Sequence, residues 1–502
     1  MISFRSAWLT LKIGGVCALL SGGLVATGWA AGAQPNLIII NIDDLGYGEI
    51  GPFNGRNRTP ELDQMAKEGR KLTSYYAAPV CSPSRAALMT GCYPKRVLPI
   101  PGVLFPGAEI GLNPADRTIA EVLKAAGYVT AAIGKWHLGD QRPFLPTSRG
   151  FDTYFGLPYS NDMGPAAEGV KSNRGVPLRE ATAVKATAAK ALPATEQGTG
   201  MRTEQPPLPL VENSQVVGRV RGEEQVQLAR RYTERAVSFV RERRERPFFL
   251  YLAHNAVHFP LYPRDEFMGR SGHGLLGDWI QEIDWSVGQI LAALRAEKLD
   301  TNTLVLFTSD NGGPLQQGGI NTPLRGGKGT TFEGGIRVPA IVWWPGKIPA
   351  GTASGAIISM MDVLPTFAGL AKASGLKDRR WDGVDQWPIF AGEPKSAPRE
   401  SIYFYRGLVL EAVRSGPWKL HLASGELFHL GDDIGEARNV APEQAGEVQR
   451  LRAFAAAMSG DLGLDGVGPG CHPLGRFAHP EPLIARDGTV RADAVGAVKR
   501  FP

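Results

Sequence analysis

The chain has 502 residues, which is more than one ordinary hydrophobic core accommodates, so we expect one large domain and a smaller one. Its apolar content of 43% and charged content of 21% are typical of a soluble globular protein and exclude a fibrous or disordered chain. A net charge of +6, with no long run of lysine or arginine, disfavours nucleic-acid binding and is compatible with an anionic substrate.

The first 33 residues have the pattern of an export signal peptide. Arg5 and Lys12 precede an apolar, glycine-rich stretch, and residues 31–33 read A-G-A, which is a small-residue cleavage site. An uncleaved N-terminal membrane anchor is the alternative. No later stretch is apolar enough to span a bilayer. The sequence therefore predicts an exported protein, periplasmic or secreted, with no stable membrane span after signal cleavage.

Three cysteines remain after that cleavage, too few for a disulfide framework in an exported protein of this length. The sequence leaves open whether Cys92 and Cys471 pair with each other. Cys81 is then left over, and its presence calls for a chemical explanation.

Predicted strands and helices alternate along the first large domain. Buried strands are expected at 35–44, 128–137, 247–258 and 302–313, and helices at 59–72, 118–128 and 275–299. Thr59 and Pro60 have the residue types of an N-cap and a first helical position. Apolar strands between helices are typical of a mostly parallel sheet covered on both faces. We predict this α/β domain over residues 34–372, with an exposed or disordered insertion at about 164–210 that is rich in Ala, Thr, Lys and Pro.

A smaller C-terminal α+β domain is predicted for residues 373–502. Short segments with strand-like patterns follow one another at 401–406, 408–416, 417–424 and 426–431. Together they predict a four-stranded antiparallel sheet, followed by a helix at 445–458 and a Gly- and Pro-rich tail along the surface.

Polar side chains share one position relative to the predicted parallel strands. They lie at or just past the carboxyl ends: Asp43 and Asp44, Lys135 and His137, His254 and His258, Asp310 and Asn311. Open α/β sheets bind ligands along that edge, so we expect these groups to meet in one site.

The acidic members of this set predict a metal site. Asp43, Asp44 and Asp310 would place three negative charges beside the amide oxygen of Asn311, and such repulsion is costly without a counter-charge. A hard divalent cation supplies it, and all-oxygen ligands favour Ca²⁺ or Mg²⁺ over zinc. The alternative is that the two acidic pairs are only loop and cap residues.

Cys81 stands at the start of a predicted helix in the stretch CSPSRAALMTG. A helix N-terminus and Arg85, one turn on, are expected to lower the pKa of a thiol. A cysteine protease would need a histidine base with an orienting partner, but not a divalent metal and lysines. The alternative is a small, buried, apolar cysteine.

The pattern C-x-P-x-R followed by AALMTG resembles the signature of the formylglycine-dependent sulfatases. NIDD, GKWHLG and TSDNGG elsewhere in the chain support the resemblance, which is strong over residues 35–345. The stretches GLPYSNDMGP and NTPLRGGKGTTFEGGIRVP are most similar to the arylsulfatase A and N-acetylgalactosamine-6-sulfatase branch. The resemblance implies an alkaline-phosphatase-like α/β fold and a sulfuric ester hydrolase. One position departs from the signature, because Cys92 stands where the family usually has arginine.

The resemblance also implies roles around the nucleophile. The metal ligands, usually for calcium, would be Asp43, Asp44, Asp310 and Asn311. A maturing enzyme would oxidise Cys81 to formylglycine (3-oxoalanine), whose hydrate is the family's nucleophile and completes the metal shell. Arg85 would hold this hydrate near the metal, and His137 would form a hydrogen bond with it.

The substrate-binding roles follow from the same resemblance. Lys135 and Lys328 would hold the sulfate oxygens, and Ser160 would add a hydrogen bond. His258 would protonate the leaving oxygen, which suits a histidine near neutral pKa. His254 is expected to be structural, since the family pattern places the acid at His258.

Two other functions are considered. One is a phosphomonoester or phosphonate ester hydrolase on the same scaffold, against which the presence of only one recognisable metal-ligand set argues. The other is a non-catalytic binder of sulfated glycans that leaves Cys81 unmodified. The leading hypothesis is a sulfatase acting on an aryl sulfate or a sulfated carbohydrate, with a formylglycine-generating or other sulfatase-maturing enzyme as its partner.

Overall fold

The computed structural model describes residues 34–176, 205–242, 246–374, 380–393 and 399–496. The predicted signal peptide at 1–33 and the middle of the predicted insertion, 177–204, lie outside the described residues. Both described ends of the insertion are anchored, because Val170 and Leu208 are buried. Within the described residues, the structure contains no helix with the length and apolar character needed to cross a membrane.

The strands are Asn36–Ile42 (β1), Arg70–Leu72 (β2), Tyr75–Tyr76 (β3), Ile110–Gly111 (β4), Val129–Gly134 (β5), Thr153–Gly156 (β6), Pro209–Glu212 (β7), Gln215–Arg219 (β8), Phe248–Ala253 (β9), Thr303–Ser309 (β10), Arg337–Val338 (β11), Ala340–Trp343 (β12), Thr352–Ser354 (β13), Ile358–Ser359 (β14), Ser401–Arg406 (β15), Val409–Ser415 (β16), Trp418–His421 (β17), Leu427–His429 (β18) and Gly475–Arg476 (β19).

The helices are Pro60–Glu68 (α1), Cys81–Thr90 (α2), Pro94–Val97 (α3), Ile119–Ala125 (α4), Leu228–Glu242 (α5), Gly274–Ala296 (α6), Glu333–Ile336 (α7), Val363–Leu370 (α8), Trp387–Phe390 (α9) and Ala445–Ala457 (α10).

A ten-stranded sheet forms the centre of the fold, in the order β13-β2-β12-β10-β1-β9-β5-β6-β7-β8. Its five central strands, β10 to β6 in that order, are parallel, whereas β12 and β7 pair antiparallel with their neighbours. Successive residues of β1 face opposite sides: Leu37 and Ile39 join one apolar cluster, Ile38 and Ile40 the other. Apolar layers therefore cover both faces, which explains the uninterrupted apolar sequence of β1 and confirms the predicted α/β class.

Helix α4 shows how local sequence sets element ends. Thr118 Oγ1 accepts the N–H of Glu121, and the Glu121 carboxylate accepts the N–H of Thr118, which is a capping box. Gly127, just past the helix, has φ +93°, a conformation that favours glycine. The helix predicted for residues 118–128 therefore forms with its expected ends.

Helix α1 is shorter than the prediction for residues 59–72, and its N-terminus is capped differently. The helix ends at Glu68, and the next residues form β2. The hydroxyl of Thr59 accepts the N–H of Gly51 instead of a helical N–H. The carboxylate of Asp284, on α6, accepts the N–H of Leu62 at 2.8 Å. A side chain 222 residues away thus caps this helix, which the local sequence could not reveal.

The C-terminal region contains the predicted four-stranded antiparallel sheet, in the order β15-β16-β17-β18, followed by α10. The described residues from 34 onward form one compact unit. One apolar cluster includes Val338 beside β12 as well as Ile402 of β15 and Leu420 of β17, so the small sheet shares a core with the large domain. The domain boundary at 372/373 stays a prediction.

Candidate active site

The pairing of β1 with β10 brings together two acidic pairs that are far apart in sequence. Ile42 lies opposite Ser309 in this parallel register, so Asp43 and Asp310 leave neighbouring strands at the same edge. The backbone N–H of Asp44 donates to Asp310 Oδ1 at 3.2 Å, and Asn311 Nδ2 donates to Asp44 Oδ1 at 2.7 Å. All four residues are buried. The sheet topology therefore builds the predicted carboxylate cluster.

The cluster fits a hard cation. Asn311 Oδ1 is buried and has no hydrogen-bond partner among the described residues, so a ligand oxygen is available. Ligand atoms of Asp43, Asp44, Cys81 and His258 all lie within 4.8 Å of one another. Burial and the charge of Asp43 raise the pKa of Asp310, because two buried carboxylates repel. An oxygen-rich, negatively charged donor set of this kind suits Ca²⁺ or Mg²⁺.

Cys81 is the first residue of α2 and is only 2% exposed, with Sγ 3.4 Å from Asp43 Oδ1. Burial and the adjacent Asp43 carboxylate raise the pKa of the thiol far above its ordinary value, although Lys135 and Lys328 oppose them. The expectation that the helix N-terminus and Arg85 would lower this pKa is wrong. Without a bound cation, an unmodified Cys81 stays protonated in this environment, so it is poorly suited to act as a thiolate nucleophile.

Arg85, one turn along α2, holds the acidic cluster in place through hydrogen bonds. Its Nε and Nη2 donate to Asp310 Oδ2 at 3.0 and 2.8 Å, and its Nη1 donates to the carbonyl oxygen of Lys135 at 2.7 Å. The guanidinium is completely buried. These contacts fix α2 against the ends of β5 and β10.

Two lysines reach the cluster from different loops. Lys135 Nζ lies 2.5 Å from Asp43 Oδ2 and 3.1 Å from Ser160 Oγ. Lys328 Nζ lies 2.7 Å from Asp44 Oδ1. Burial alone raises the pKa of Asp43, but Lys135 and the neighbouring cations outweigh it and hold that pKa below its ordinary value. Two ammonium groups thus converge on the space beside Cys81.

Gly134 directs Lys135 into the site. It ends β5 with φ +105°, and an added Cβ would lie 1.8 Å from the carbonyl oxygen of Ala253. No side chain fits there, so the chain can turn sharply and place Lys135 beside Asp43.

We therefore expect Gly134→Ala to destabilise the protein and to lower activity, because the backbone must shift to relieve the overlap. Gly127→Ala is the matched control, since Gly127 also has positive φ but has open space around it. Backbone strain alone predicts that the control loses about 1–3 kcal/mol of its free energy of unfolding. Chemical denaturation and an activity assay of both variants provide the comparison. Equal losses of stability in both would contradict the steric argument.

His137 has one ring nitrogen bonded and one free. Its Nε2 lies 2.9 Å from the carbonyl oxygen of Leu104, which requires a proton on Nε2. Its Nδ1 is buried without a partner among the described residues. Burial and the charges of Lys135 and Arg85 hold the pKa of His137 well below its ordinary value. The ring is therefore neutral and presents a lone pair.

His258 follows β9 and lies beside the acidic cluster. Its Nδ1 lies 2.6 Å from the carbonyl oxygen of Phe259, and its Nε2 lies 3.8 Å from Asp44 Oδ2. Ser160 Oγ is 3.4 Å from the ring nitrogens. By contrast, His254 Nε2 contacts Ser286 Oγ of α6 at 3.1 Å, and burial lowers its pKa to about 3.

Direct contacts join all the predicted site residues except His137, which is linked through its electrostatic interactions with Lys135 and Arg85. The connected residues are Asp43, Asp44, Cys81, Arg85, Lys135, Ser160, His258, Asp310, Asn311 and Lys328.

Sequence reasoning missed two positioning residues. The hydroxyl of Tyr251, on β9, accepts a hydrogen bond from Arg85 Nη1 at 3.4 Å. Ser309 Oγ accepts the N–H of Leu45 at 2.9 Å and donates to the carbonyl of Asn311 at 2.9 Å. The signal in the sequence was a polar residue near the end of each apolar strand: Tyr251 in β9 and Ser309 in β10.

The sulfatase family model matches residues 35–373 of this chain. Bovine arylsulfatase A is 38% identical over 482 residues, covering 86% of this chain and 90% of the relative. The N-acetylgalactosamine-6-sulfatase of the dog is 37% identical, covering 88% of this chain and 81% of the relative. The predicted resemblance is confirmed over most of the chain.

Comparison with solved structures supports the same family assignment. The crystal structure of Ps i-CgsB in complex with k-i-k-neocarrahexaose superposes with a TM-score of 0.71 at 30% identity, covering 85% of this chain and 93% of that one. The sheet order, the metal-compatible cluster beside Cys81 and these matches agree with one another: the chain belongs to the sulfatase family, whose members hydrolyse sulfuric esters.

Proposed function

We propose that this protein hydrolyses sulfate monoesters with formylglycine formed from Cys81 and with a bound divalent cation. The observation that carries the proposal is the environment of Cys81. Its thiol is buried beside a carboxylate that raises its pKa, yet Lys135 and Lys328 converge on the same space. The two lysines therefore suit an anionic substrate, whereas the buried, carboxylate-flanked thiol does not suit a thiolate nucleophile.

The cation would be calcium, with magnesium as the alternative. Asp43, Asp44, Asp310 and Asn311 would hold it, and the unpaired Asn311 Oδ1 supports this assignment. When bound, the ion supplies positive charge that polarises oxygen atoms and offsets the clustered carboxylates. Arg85 keeps Asp310 in place through its two hydrogen bonds to Oδ2.

Formylglycine would supply a hydroxyl nucleophile at a position where the thiol stays protonated. The modification replaces the sulfur of Cys81 by oxygen and removes two hydrogen atoms. The unpaired Nδ1 of His137 supports a role in accepting a hydrogen bond there. Because the pKa of His137 is lowered, this nitrogen keeps its lone pair at neutral pH.

The remaining residues act on the sulfate ester. Lys135 and Lys328 bind the sulfate oxygens, where negative charge grows as the ester bond breaks, and fixed cations in a buried site stabilise that charge. Ser160 contacts both Lys135 and His258 and so can orient them. His258 would protonate the leaving oxygen from Nε2 when its ring carries both protons, since Nδ1 keeps its own proton in the hydrogen bond to the carbonyl of Phe259.

For the substrate class we propose sulfated carbohydrates, with aryl sulfates as assay compounds. Relatives named N-acetylgalactosamine-6-sulfatase and a structural neighbour crystallised with a carrahexaose support this choice. We further propose that residues 1–33 direct export and that a sulfatase-maturing enzyme modifies Cys81.

The test joins mass spectrometry with a paired assay on protein made in its native host. The tryptic peptide from Leu72 to Arg85 is expected to carry the aldehyde at Cys81. The same preparation should hydrolyse an aryl sulfate faster than the matching aryl phosphate. A wholly unmodified thiol would favour the glycan-binding hypothesis, and faster phosphate cleavage would favour the phosphoesterase hypothesis.

Replacement of Lys328 tests substrate binding. We expect Lys328→Ala to lower kcat/KM for an aryl sulfate by about 10²–10³-fold, because one preorganised cation is lost where charge develops. Lys347→Ala, at an exposed lysine in the turn after β12, is the matched control and should leave kcat/KM unchanged. If Lys328→Ala were as active as the control, Lys328 would have no role in substrate binding.

A further inference from the structure

A second cavity, of about 430 Å³, lies between the turn after β2 and the small C-terminal sheet. It is walled by the turn at Thr73, the loop at Gly355–Ile357, the β16–β17 turn and the residues that follow β18. None of its lining residues belongs to the active site described above. Its volume is in the range of small-molecule sites, about 300–1,000 Å³.

Three buried or nearly buried arginines line this cavity. Arg337 donates to the carbonyl of Thr73 and to Glu333 Oε2, Arg399 is paired with Asp362, and Arg414 donates to the carbonyl of Gly416. Their side chains are only 6–8% exposed. Such convergence of guanidinium groups in one concave site is uncommon unless an anion or carboxylates accompany it.

The neighbouring carboxylates do not use all the donors. Among the residues that the structure describes, Arg399 Nη1 and Arg414 Nη2 have no hydrogen-bond acceptor. Neither atom is among the fully enclosed unpaired nitrogens, so both retain accessible surface. Two charged donors beside the cavity are thus free to bind a ligand.

Buried carboxylates lie behind these arginines. Lys419 shares Glu333 with Arg337 and Arg414, and it also contacts Glu436. Asp362 pairs with Arg399, whose Nη2 also donates to the carbonyl of Asp382. These contacts hold the guanidinium groups at the cavity wall and leave the two free nitrogens for a ligand.

We propose that this arginine-lined cavity binds a small organic oxyanion, with its sulfate, sulfonate, phosphate or carboxylate group on Arg399 and Arg414. The body of the ligand rests on Ile357 and Leu430, the buried apolar residues of the wall. The free nitrogen of each arginine can donate a charge-assisted hydrogen bond to such an oxyanion. The site is separate from catalysis and does not depend on the modification of Cys81.

Hydrogen–deuterium exchange with peptide resolution tests the proposal on the full-length protein, since it separates this cavity from the active site. The probes are 6-deoxyglucose 6-sulfonate, which has no ester bond to hydrolyse, inorganic sulfate, and neutral glucose at equal ionic strength. The sulfonate is expected to slow exchange in peptides covering 73–74, 355–357 and 416–417. Protection by inorganic sulfate as well would mean that the oxyanion alone suffices, whereas protection by the sulfonate alone would mean that the organic body contributes.

Two substitutions of Gly355 sharpen the test without removing a buried contact. An added Cβ there meets only Thr73 Oγ1, at 3.9 Å. Gly355→Glu places a competing carboxylate at the cavity and should abolish protection of its peptides, while Gly355→Ala should retain it. The proposal is overturned if the wild type shows no protection at these peptides, if glucose protects them equally, or if Gly355→Glu leaves the protection unchanged.

Discussion

Replacing Cys81 with alanine is expected to lower aryl sulfate hydrolysis by at least about a thousandfold, the scale of losing a covalent nucleophile. Alanine removes the sulfur on which the proposed maturation acts, while Asp43, Lys135 and Lys328 stay in place. The fold should persist, because one small buried atom is lost. Initial rates at saturating substrate, with circular dichroism of the same preparation, provide the measurement.

Cys92→Ala is the matched control for this variant. Cys92 is buried two residues past the other end of α2, with its Sγ near the carbonyls of Thr90 and Arg380 instead of the acidic cluster. It should keep near wild-type activity. If both alanine variants lost activity alike, a packing defect around α2 would replace the nucleophile as the explanation.

The largest expected effect on stability is at Glu333, the first residue of α7. Its carboxylate bonds Lys419 Nζ at 2.8 Å and Arg337 Nη1 at 3.2 Å, and all three side chains are buried. Glu333→Gln leaves Arg337 without its anion and leaves Lys419 with Glu436 alone. We expect the free energy of unfolding at pH 7 to fall by about 3 kcal/mol, as measured by urea denaturation.

The same residue predicts a distinct pH dependence. Burial would raise the pKa of Glu333, but Lys419, Arg337 and Arg414 outweigh it and lower the pKa from 4.5 to about 2. A carboxyl group with a lowered pKa in the folded state stabilises the protein above its unfolded pKa and loses that contribution as the pH falls. The stability difference between wild type and Glu333→Gln should therefore shrink between pH 4.5 and about 2.

Glu443→Gln serves as the control for the Glu333 experiment. Glu443 pairs with Arg438 on the surface, where both side chains are more than half exposed. An exposed pair contributes about 0–1 kcal/mol, so this variant should be nearly as stable as the wild type. A stability difference at Glu333 that did not change in acid would show that packing, and not charge, carries the effect.

Much of the sheet and of the candidate site follows from short stretches of sequence. The apolar run of β1 ends directly in Asp43 and Asp44, and β10 ends in Asp310 and Asn311, so the parallel arrangement alone predicts that they meet. The four C-terminal strands were predictable because short apolar and β-branched runs follow one another there between turn residues.

The errors concern interactions between distant parts of the chain. The cap of α1 comes from Asp284, so no local pattern around Thr59 could indicate it. The pKa of Cys81 was predicted in the wrong direction because its burial and its contact with Asp43 depend on the assembled sheet. Local sequence shows which groups a helix end offers, but tertiary packing decides their dielectric environment.

The burial of Cys81 also has a consequence for the order of events in the cell. Every residue of α2 is buried, so a second protein cannot reach this side chain once the domain has closed. The proposed conversion of Cys81 would then have to come before folding, while the segment is still an extended peptide. The rate of conversion relative to the rate of folding would then set the fraction of molecules that can become active. A molecule that folded with its thiol intact would stay inactive.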